Sequence, residues 1–172
     1  EFDAFWKDYL NTEDRNILYI LGYGFDPRMC LGIEKIIKSG GNGLRDCIGI
    51  EFNEGSGSPS KAYEEEAKTN VSRLKKILNG RGALTTKSLE MWSGQGSGRR
   101  RVGSLNASSV FEDVKYFDAY DNIIIDISAM PRGIYFSLIG KLIFLLTESD
   151  KAKKRKTINL YVVISESIAY DE

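Results

Sequence analysis

Apolar positions along this chain fall into two kinds of segment: short continuous runs, and longer stretches in which apolar residues recur at helical spacing. Short apolar runs bounded by polar residues or glycine are typical of buried strands. We predict such strands at residues 16–21, 47–52, 83–90, 122–127 and 158–164. The first two strands and the segment between them span about 35 residues, which is the size of a right-handed βαβ unit.

Helices are predicted between these strands. Two of them begin at a proline, which suits the first turn of a helix: one runs from Pro27 to Ser39 and one from Pro59 to about Leu78. A short helix is predicted at residues 109–117. The apolar residues 133–146 are predicted to form a buried helix, because a bilayer span needs roughly 20 residues. Strands that alternate with helices predict a doubly wound α/β fold, with a mainly parallel five-stranded Rossmann-like sheet and helices on both faces.

The first twelve residues have a pattern of their own. Phe2, Phe5, Trp6 and Tyr9 recur at helical spacing, so this aromatic stripe packs on the body of the domain or on a partner. We therefore expect residues 1–12 to form a helix with a possible second role in docking a protein partner. A doubly wound sheet normally continues with a helix after its last strand, so we expect residues 1–172 to be a single Rossmann-like domain of a longer protein.

Composition excludes several classes of protein. The 24 basic and 24 acidic residues balance, which argues against a chain that coats nucleic acid or membrane along its whole length. The chain has no histidine, so serine-histidine and cysteine-histidine catalysis are excluded. Cys30 and Cys47 have no metal-ligand spacing, so we expect neither a disulfide framework nor a metal site. With no signal-peptide pattern at the start, these features predict a cytoplasmic protein that does not associate with membranes.

Two basic clusters fall in predicted loops. Arg99, Arg100 and Arg101 lie within the glycine- and serine-rich residues 93–104, which we predict to be a mobile loop above the ligand end of the sheet. Residues 151–156 form a lysine-rich loop that should lie at the opposite end. Such clusters are more often solvated than bound to a partner, so nucleic acid is an unlikely partner.

Ligands of open parallel sheets bind outside the carboxyl ends of the strands, where the strand order reverses. The first predicted strand ends there in Gly22-Tyr-Gly-Phe-Asp-Pro-Arg28. Gly22 and Gly24 allow close backbone approach, the helix start attracts an anion, and Arg28 adds a bidentate contact. The alternative is an ordinary turn in which Asp26 caps the helix and Arg28 is solvated or paired with an acidic residue.

The fourth predicted strand ends in a similar turn, Asp126-Ile-Ser-Ala-Met-Pro-Arg132. Asp126 lies inside an apolar strand, where a carboxylate is costly unless paired, so its partner should be Arg132, Arg28 or a ligand hydroxyl. Ser128 is the small polar residue of this turn. We expect Arg28 and Arg132 to converge in one pocket, and a purely structural ion pair with Asp126 is the alternative.

Glu51 ends the second predicted strand. An acidic residue at this position accepts hydrogen bonds from ribose hydroxyls in many nucleotide-binding α/β folds, although Glu51, Asn53 and Glu54 also fit a simple polar strand end. We assign no catalytic residue. The candidate ligand-binding residues at the three strand ends are Gly22, Gly24, Asp26, Arg28, Glu51, Asp126, Ser128 and Arg132.

The two turns, residues 20–28 and 125–132, resemble the nucleotide-site loops of Rossmann-like ligand-sensing domains, including the CRISPR-associated Rossmann fold group. That resemblance implies a site for cyclic oligonucleotides at these loops. The glycine turn, Glu51 and Ala67-Lys-Thr-Asn70 are in turn similar to the cofactor half of class I methyltransferases, which implies S-adenosylmethionine as the cofactor.

From these features we expect a nucleotide-binding domain that senses or processes a phosphorylated nucleoside, with a role in bacterial signalling or antiviral defence. The expected partner is a small-molecule nucleotide. One alternative is an S-adenosylmethionine-dependent methyltransferase. The other is a non-catalytic scaffold subunit that docks into a larger assembly through the helix at residues 2–9.

Overall fold

The computed structural model describes residues 1–55, 57–151 and 156–166 of the chain. The strands in these residues are β1 (Ile17–Gly22), β2 (Arg45–Asn53), β3 (Leu84–Glu90), β4 (Trp92–Ser93), β5 (Arg100–Arg101), β6 (Asn122–Asp126) and β7 (Asn159–Val163). The α-helices are α1 (Phe2–Thr12), α2 (Leu31–Lys38), α3 (Glu64–Leu78), α4 (Gly103–Ser108) and α5 (Arg132–Lys151). Short 3-10 helices at Pro27–Cys30 and Pro59–Tyr63 precede α2 and α3, because proline fixes the first turn of each.

Five of the strands form one sheet in the order β3-β2-β1-β6-β7, and every neighbouring pair is parallel. This confirms the predicted doubly wound fold, with strand bounds close to those expected from the apolar runs. The chain leaves β1 toward β2 and leaves β6 toward β7, in opposite directions across the sheet. The strand order therefore reverses between β1 and β6, where a ligand crevice is expected in such folds.

Each face of the sheet carries its own apolar core. Helices α1, α2 and α3 cover one face, where Tyr19 and Leu21 of β1 are buried, and α4 and α5 cover the other, where Leu18 and Ile20 are buried. All six residues of β1 are buried. A central strand that is covered on both faces is apolar throughout, so β1 was predictable from its continuous run of apolar residues.

Helix α1 packs on the first of these faces. Trp6 and Leu10 are buried, and the hydroxyl of Tyr9 donates a 2.8 Å hydrogen bond to Oδ1 of Asn122 at the start of β6. Phe5 remains about half exposed. The aromatic stripe of residues 1–12 thus belongs largely to the core of the domain, and a further role in docking a partner stays a prediction.

The connection between β3 and β6 differs from the prediction. Residues 93–104, expected to form a mobile loop, contain the antiparallel pair of β4 and β5 and the start of α4, and the mobility of this segment stays a prediction. Gly94 and Gly96 have φ values of 78° and 53°, which lets the chain reverse between the two short strands. The short helix predicted at residues 109–117 is replaced by α4, which ends at Ser108, and a 3-10 turn at Val114–Phe117.

Helix α5 was predicted to be buried, but only one side of it is. Ile134, Leu138 and Leu142 pack against the sheet, whereas Phe136 and Phe144 are more than half exposed. No helix in the described part of the chain combines the length and the apolar character that a membrane span requires. The predicted basic loop at residues 151–156 lies mostly outside the described residues.

Candidate functional site

The turns that follow β1 and β6 touch each other where the strand order reverses. Leu21 is paired in register with Asp126, so both turns leave the sheet at the same level. A Cβ atom on Gly22 would lie 2.8 Å from the carbonyl oxygen of Ala129 and 2.8 Å from Cγ of Met130. Gly22 is therefore required for the close packing of the two turns, whereas a Cβ on Gly24 would meet nothing closer than 3.9 Å.

Asp26 and Arg28 form a clasp within the β1 turn. Oδ1 of Asp26 accepts a 2.9 Å hydrogen bond from the backbone N–H of Arg28, which caps the 3-10 helix that begins at Pro27. The guanidinium group of Arg28 also binds both oxygens of this carboxylate, with Nη2 2.7 Å from Oδ2 and Nε 3.1 Å from Oδ1. Asp26 is thus a partner of Arg28, and neither Glu51 nor Asp126 forms an ion pair with this arginine in the described part of the chain.

Asn70 of α3 holds the same turn through two of its backbone carbonyl groups. Its side chain is buried, and Nδ2 donates to the carbonyl oxygens of Gly24 at 3.1 Å and of Phe25 at 3.0 Å. Backbone carbonyls that accept from a buried amide are held in one conformation. The sequence signal for this role is the position of Asn70 on the apolar side of an amphipathic helix, where a polar residue needs a partner.

Phe25 projects from this anchored turn and stacks on Tyr63, which precedes α3. The two ring centroids are 4.5 Å apart with an interplanar angle of 27°, and 46% of Phe25 and 47% of Tyr63 is exposed. An exposed aromatic pair at the ligand end of the sheet offers a flat surface on which another ring can stack. Neither residue was predicted as a site residue, because Phe25 lies in a turn without a periodic pattern and the spacing of Tyr63 fits the apolar side of the helix that begins at Pro59.

Asp126 is buried, with 1% of its surface exposed, and its hydrogen-bond donors come from the domain itself. Oδ2 accepts from the hydroxyl of Tyr19 at 2.6 Å, and Oδ1 accepts from the backbone N–H of Ser128 at 2.9 Å and from its Oγ at 2.5 Å. Burial raises the pKa of the Asp126 carboxyl, and these hydrogen bonds oppose the shift. The expected arginine partner is absent from the described residues, so the prediction of Arg132 or Arg28 at this carboxylate is corrected.

The buried Tyr19–Asp126 pair lies directly beneath α2. A Cβ atom on Gly32 would lie 2.2 Å from the Tyr19 hydroxyl oxygen and 2.6 Å from Oδ2 of Asp126. Helix α2 can therefore approach the sheet only because residue 32 has no side chain. Ser128 extends the network outward, since its Oγ accepts a 2.7 Å hydrogen bond from the backbone N–H of Ser165 beyond β7.

Arg132 and Glu51 are the two charged candidates that remain exposed at this edge. Arg132 is the first residue of α5, and its guanidinium group forms no hydrogen bond or ion pair with the side chain or backbone of another described residue. Glu51 lies on β2 two residues after Gly49, over which the ring of Tyr23 packs. The hydroxyl of Tyr23 is 3.2 Å from Oγ1 of Thr86, so this ring bridges β2 and β3 beside Glu51.

The structure thus divides the eight predicted site residues. Six of them are engaged in the architecture of the turns, namely Gly22, Gly24, Asp26, Arg28, Asp126 and Ser128. Arg132 and Glu51 are exposed toward solvent at the ligand end of the sheet. That Arg28 and Arg132 converge in one pocket stays a prediction. No cluster of three or more acidic or cysteine side chains suited to a metal ion occurs among the residues described.

Fold and turns together define a Rossmann-like α/β domain whose strand order reverses between β1 and β6. No protein-family model matches the chain, and no curated protein sequence is similar to it. Among solved structures, the chain is similar to ferredoxin-NADP+ reductase from Plasmodium falciparum, at 15% identity and a TM-score of 0.45 over 92% of this chain and 54% of the reductase. A mutant of that reductase gives 13% identity and a TM-score of 0.43 over 91% and 55% of the two chains.

Universal stress protein UspA from Lactobacillus plantarum is similar at 8% identity and a TM-score of 0.41, over 88% of this chain and 99% of UspA. The chain spans about half the length of the reductase. Likenesses at these identities and TM-scores carry no argument about ligand or activity. The function is therefore inferred from the residues at the β1 and β6 turns.

Proposed function

We propose that this domain binds a phosphorylated nucleoside at the carboxyl end of the sheet, over the β1 and β6 turns. The observation that carries the proposal is the pairing of two unlike recognition elements at the strand reversal. The β1 turn presents the exposed Phe25–Tyr63 stack, and the β6 turn leads into the exposed Arg132. A planar base and an anionic phosphate on one molecule match these two elements.

In this arrangement the base stacks on Phe25 and the phosphate is bound by Arg132 at the start of α5. Backbone N–H groups at a helix start attract anions, and the 20 residues of α5 give it a full dipole. In the same arrangement, Glu51, two residues before the end of the neighbouring strand β2, accepts a hydrogen bond from a ribose hydroxyl. The clasp between Asp26 and Arg28 and the anchor from Asn70 keep the β1 turn rigid before the ligand arrives.

We propose sensing, in bacterial signalling or antiviral defence, as the role of this binding. It follows from the resemblance of the two turns to ligand-sensing Rossmann-like domains, and from the absence of histidine as a general base. Incubation of the protein with the bound nucleotide, followed by chromatography of the nucleotide, distinguishes sensing from processing. Recovery of intact nucleotide supports sensing, and a new product supports processing.

The binding proposal is tested by thermal unfolding of the protein with the mono- and triphosphates of the four common ribonucleosides and with S-adenosylmethionine. A ligand at a hundred times its dissociation constant adds about 2.7 kcal/mol to the free energy of unfolding. We expect at least one nucleotide to stabilise the protein. Stabilisation by S-adenosylmethionine alone would instead support the methyltransferase, and no stabilisation by any compound would contradict the proposal.

Two pairs of variants locate the site. Phe25→Leu and Arg132→Ala should each lower the affinity for the stabilising nucleotide about 10-fold or more, the value of one lost stacking or charge-assisted contact. The matched controls are Phe144→Leu, an exposed phenylalanine about three turns along α5 from Arg132, and Arg81→Ala, an exposed arginine at the opposite end of the sheet. Equal losses of affinity in the test and control variants would show that the nucleotide does not bind at Phe25 and Arg132.

A further inference from the structure

The hairpin formed by β4 and β5 carries three consecutive arginines. Trp92 is paired in register with Arg101, and Ser93 with Arg100. The guanidinium carbon of Arg99 lies 4.2 Å from the centroid of the Trp92 ring, and that of Arg101 lies 5.1 Å from it. Two guanidinium groups therefore rest on one indole ring, which restricts their motion without satisfying their N–H donors.

No acidic side chain in the described part of the chain forms an ion pair with these arginines. By contrast, Arg15 pairs with Glu13 and Arg73 with Glu34. Each arginine of the hairpin is exposed. Glu54 directly follows the end of β2. Its carboxylate accepts hydrogen bonds from serine hydroxyls at the start of the following 3-10 helix. The hairpin is thus a concentrated positive surface in a chain whose basic and acidic residues balance overall.

The hairpin lies at the same edge of the sheet as the crevice. Nη2 of Arg99 is 3.4 Å from the carbonyl oxygen of Glu54, just beyond the end of β2. Ser104 of α4 follows the hairpin in the chain. A Cβ atom on Gly133 would lie 3.0 Å from Oγ of Ser104, so α4 contacts the first turn of α5. The residue before Gly133 is Arg132. Arg132, which the proposed function assigns to a phosphate, is therefore one residue from the contact between α5 and the segment that follows the hairpin.

We propose that the hairpin arginines, together with Arg132, bind the outer phosphates of a nucleoside that carries several phosphates in series. This inference rests on the proposed function, because it extends the same site. A single phosphate satisfies one or two guanidinium groups, whereas a chain of phosphates presents anionic oxygens along the whole row. The nucleoside triphosphates are the simplest ligands with this chemistry, and Trp92 lies where it reports on their binding.

The test compares two triple variants by titration calorimetry. The first, Arg99→Gln/Arg100→Gln/Arg101→Gln, removes the charge of the hairpin. The control, Lys75→Gln/Lys76→Gln/Arg81→Gln, removes three exposed positive charges near the end of α3 and the start of β3, at the opposite edge of the sheet. The probes are the mono- and triphosphates of adenosine, guanosine, cytidine and uridine, inorganic tripolyphosphate, and a short single-stranded oligothymidylate.

The wild-type protein should bind the triphosphate of one nucleoside about 10-fold or more tightly than its monophosphate, and the hairpin variant should lose most of this preference. The affinity of this variant for the monophosphate should change by less than about threefold, because salt at physiological concentration screens the long-range effect of the lost charges. The control variant should keep the preference. Ligand-dependent emission of Trp92 should disappear in Trp92→Phe, while the buried Trp6 contributes no change.

Equal affinity of the wild type for mono- and triphosphate, or equal losses for both in the hairpin variant, would overturn the inference and leave the proposed function intact. Tighter hairpin-dependent binding of the oligothymidylate than of any triphosphate would also overturn it, in favour of a nucleic-acid backbone. Hairpin-dependent binding of tripolyphosphate without binding of any nucleotide would overturn the proposed function and support the hairpin as a phosphate site. No binding of any probe would overturn both.

Discussion

The hydroxyl of Tyr19 donates a 2.6 Å hydrogen bond to Oδ2 of the buried Asp126, which joins the middle of β1 to the end of β6. A buried carboxylate is costly unless its oxygens have donors, and here Tyr19 and Ser128 supply them. The two central strands of the sheet are thereby fixed to each other at the level where the crevice begins. This relationship leads to the first two predictions.

Replacement of Asp126 by asparagine should change how stability depends on pH. Because burial raises the folded-state pKa of the Asp126 carboxyl above its unfolded value, the native state binds more protons than the unfolded state between the two. The contribution of Asp126 to stability is therefore lost as the pH rises through this window, from about pH 4 upward. Asp126→Asn does not titrate, so its free energy of unfolding, relative to wild type, should rise with pH across the window.

Urea denaturation at a series of pH values measures this difference. Other carboxyls also titrate here, among them Glu34, whose pKa is lowered by hydrogen bonds from Lys38 and Arg73, so only the difference between variant and wild type isolates Asp126. Asp8→Asn, an exposed position on α1, is the control for the loss of a negative charge. A difference that stays constant with pH would show that Asp126 does not titrate as proposed.

Tyr19→Phe should destabilise the protein without removing any apolar contact. The lost hydroxyl leaves Oδ2 of Asp126 without its donor in the interior, which costs about 1–3 kcal/mol of unfolding free energy. The pKa of Asp126 should rise further, because one hydrogen bond to its charged form is gone. Tyr116→Phe serves as the control, since that ring is 43% exposed, and should change stability by less than about 0.5 kcal/mol. Equal effects of the two variants in urea denaturation would contradict the prediction.

Two glycines within helices should respond to alanine in opposite ways. Gly32→Ala places a methyl group against the Tyr19 hydroxyl and the Asp126 carboxylate, both of which are buried, and should cost about 1–3 kcal/mol or more. A Cβ on Gly140 of α5 would meet no atom within 4 Å, so Gly140→Ala should stabilise the helix by up to about 1 kcal/mol.

The measurement is the midpoint of chemical denaturation for both glycine variants, with Gly32→Ala repeated in the Tyr19→Phe background. Removal of the hydroxyl takes away the nearest atom of the clash, so the cost of Gly32→Ala should be smaller in that background. Strict additivity of the two substitutions would show that the steric conflict lies elsewhere.

The sheet could be predicted from the sequence because its central strands are buried on both faces. Such strands consist almost entirely of apolar residues, and the helices between them carry proline at their starts. The location of the candidate site at the ends of the first and fourth sheet strands follows from this topology alone. The same reasoning identified Asp126 as a buried carboxylate in need of a partner.

The partner itself could not be predicted from sequence. Charge favours an arginine for a buried carboxylate, but two hydroxyls and one backbone N–H satisfy Asp126 instead. Tyr19 is 107 positions away along the chain, and only the register between β1 and β6 brings the two side chains together. The β4–β5 hairpin was missed for a related reason, since its strands are very short and its turn depends on glycines with positive φ rather than on an apolar pattern.

Asp26 has two roles in the β1 turn, and two substitutions should separate them. Its carboxylate caps the 3-10 helix through the backbone N–H of Arg28 and also binds the guanidinium group of Arg28. Asparagine retains the capping oxygen but not the charge, whereas alanine removes both. The side chains of this ion pair are 22–23% exposed, which limits its contribution to about 1 kcal/mol or less. A helix cap contributes about 1 kcal/mol.

Asp26→Ala should therefore lower the free energy of unfolding by about 1 kcal/mol more than Asp26→Asn does. In nucleotide titrations, Asp26→Asn should retain most of the affinity, because the cap still holds the backbone from which Phe25 projects. Asp26→Ala should lose more affinity than its loss of stability alone explains, since the turn is no longer fixed before binding. Urea denaturation and calorimetry of the two variants, measured side by side, supply both quantities. Identical behaviour of the two variants would mean that the charge of Asp26, rather than its cap, fixes the turn.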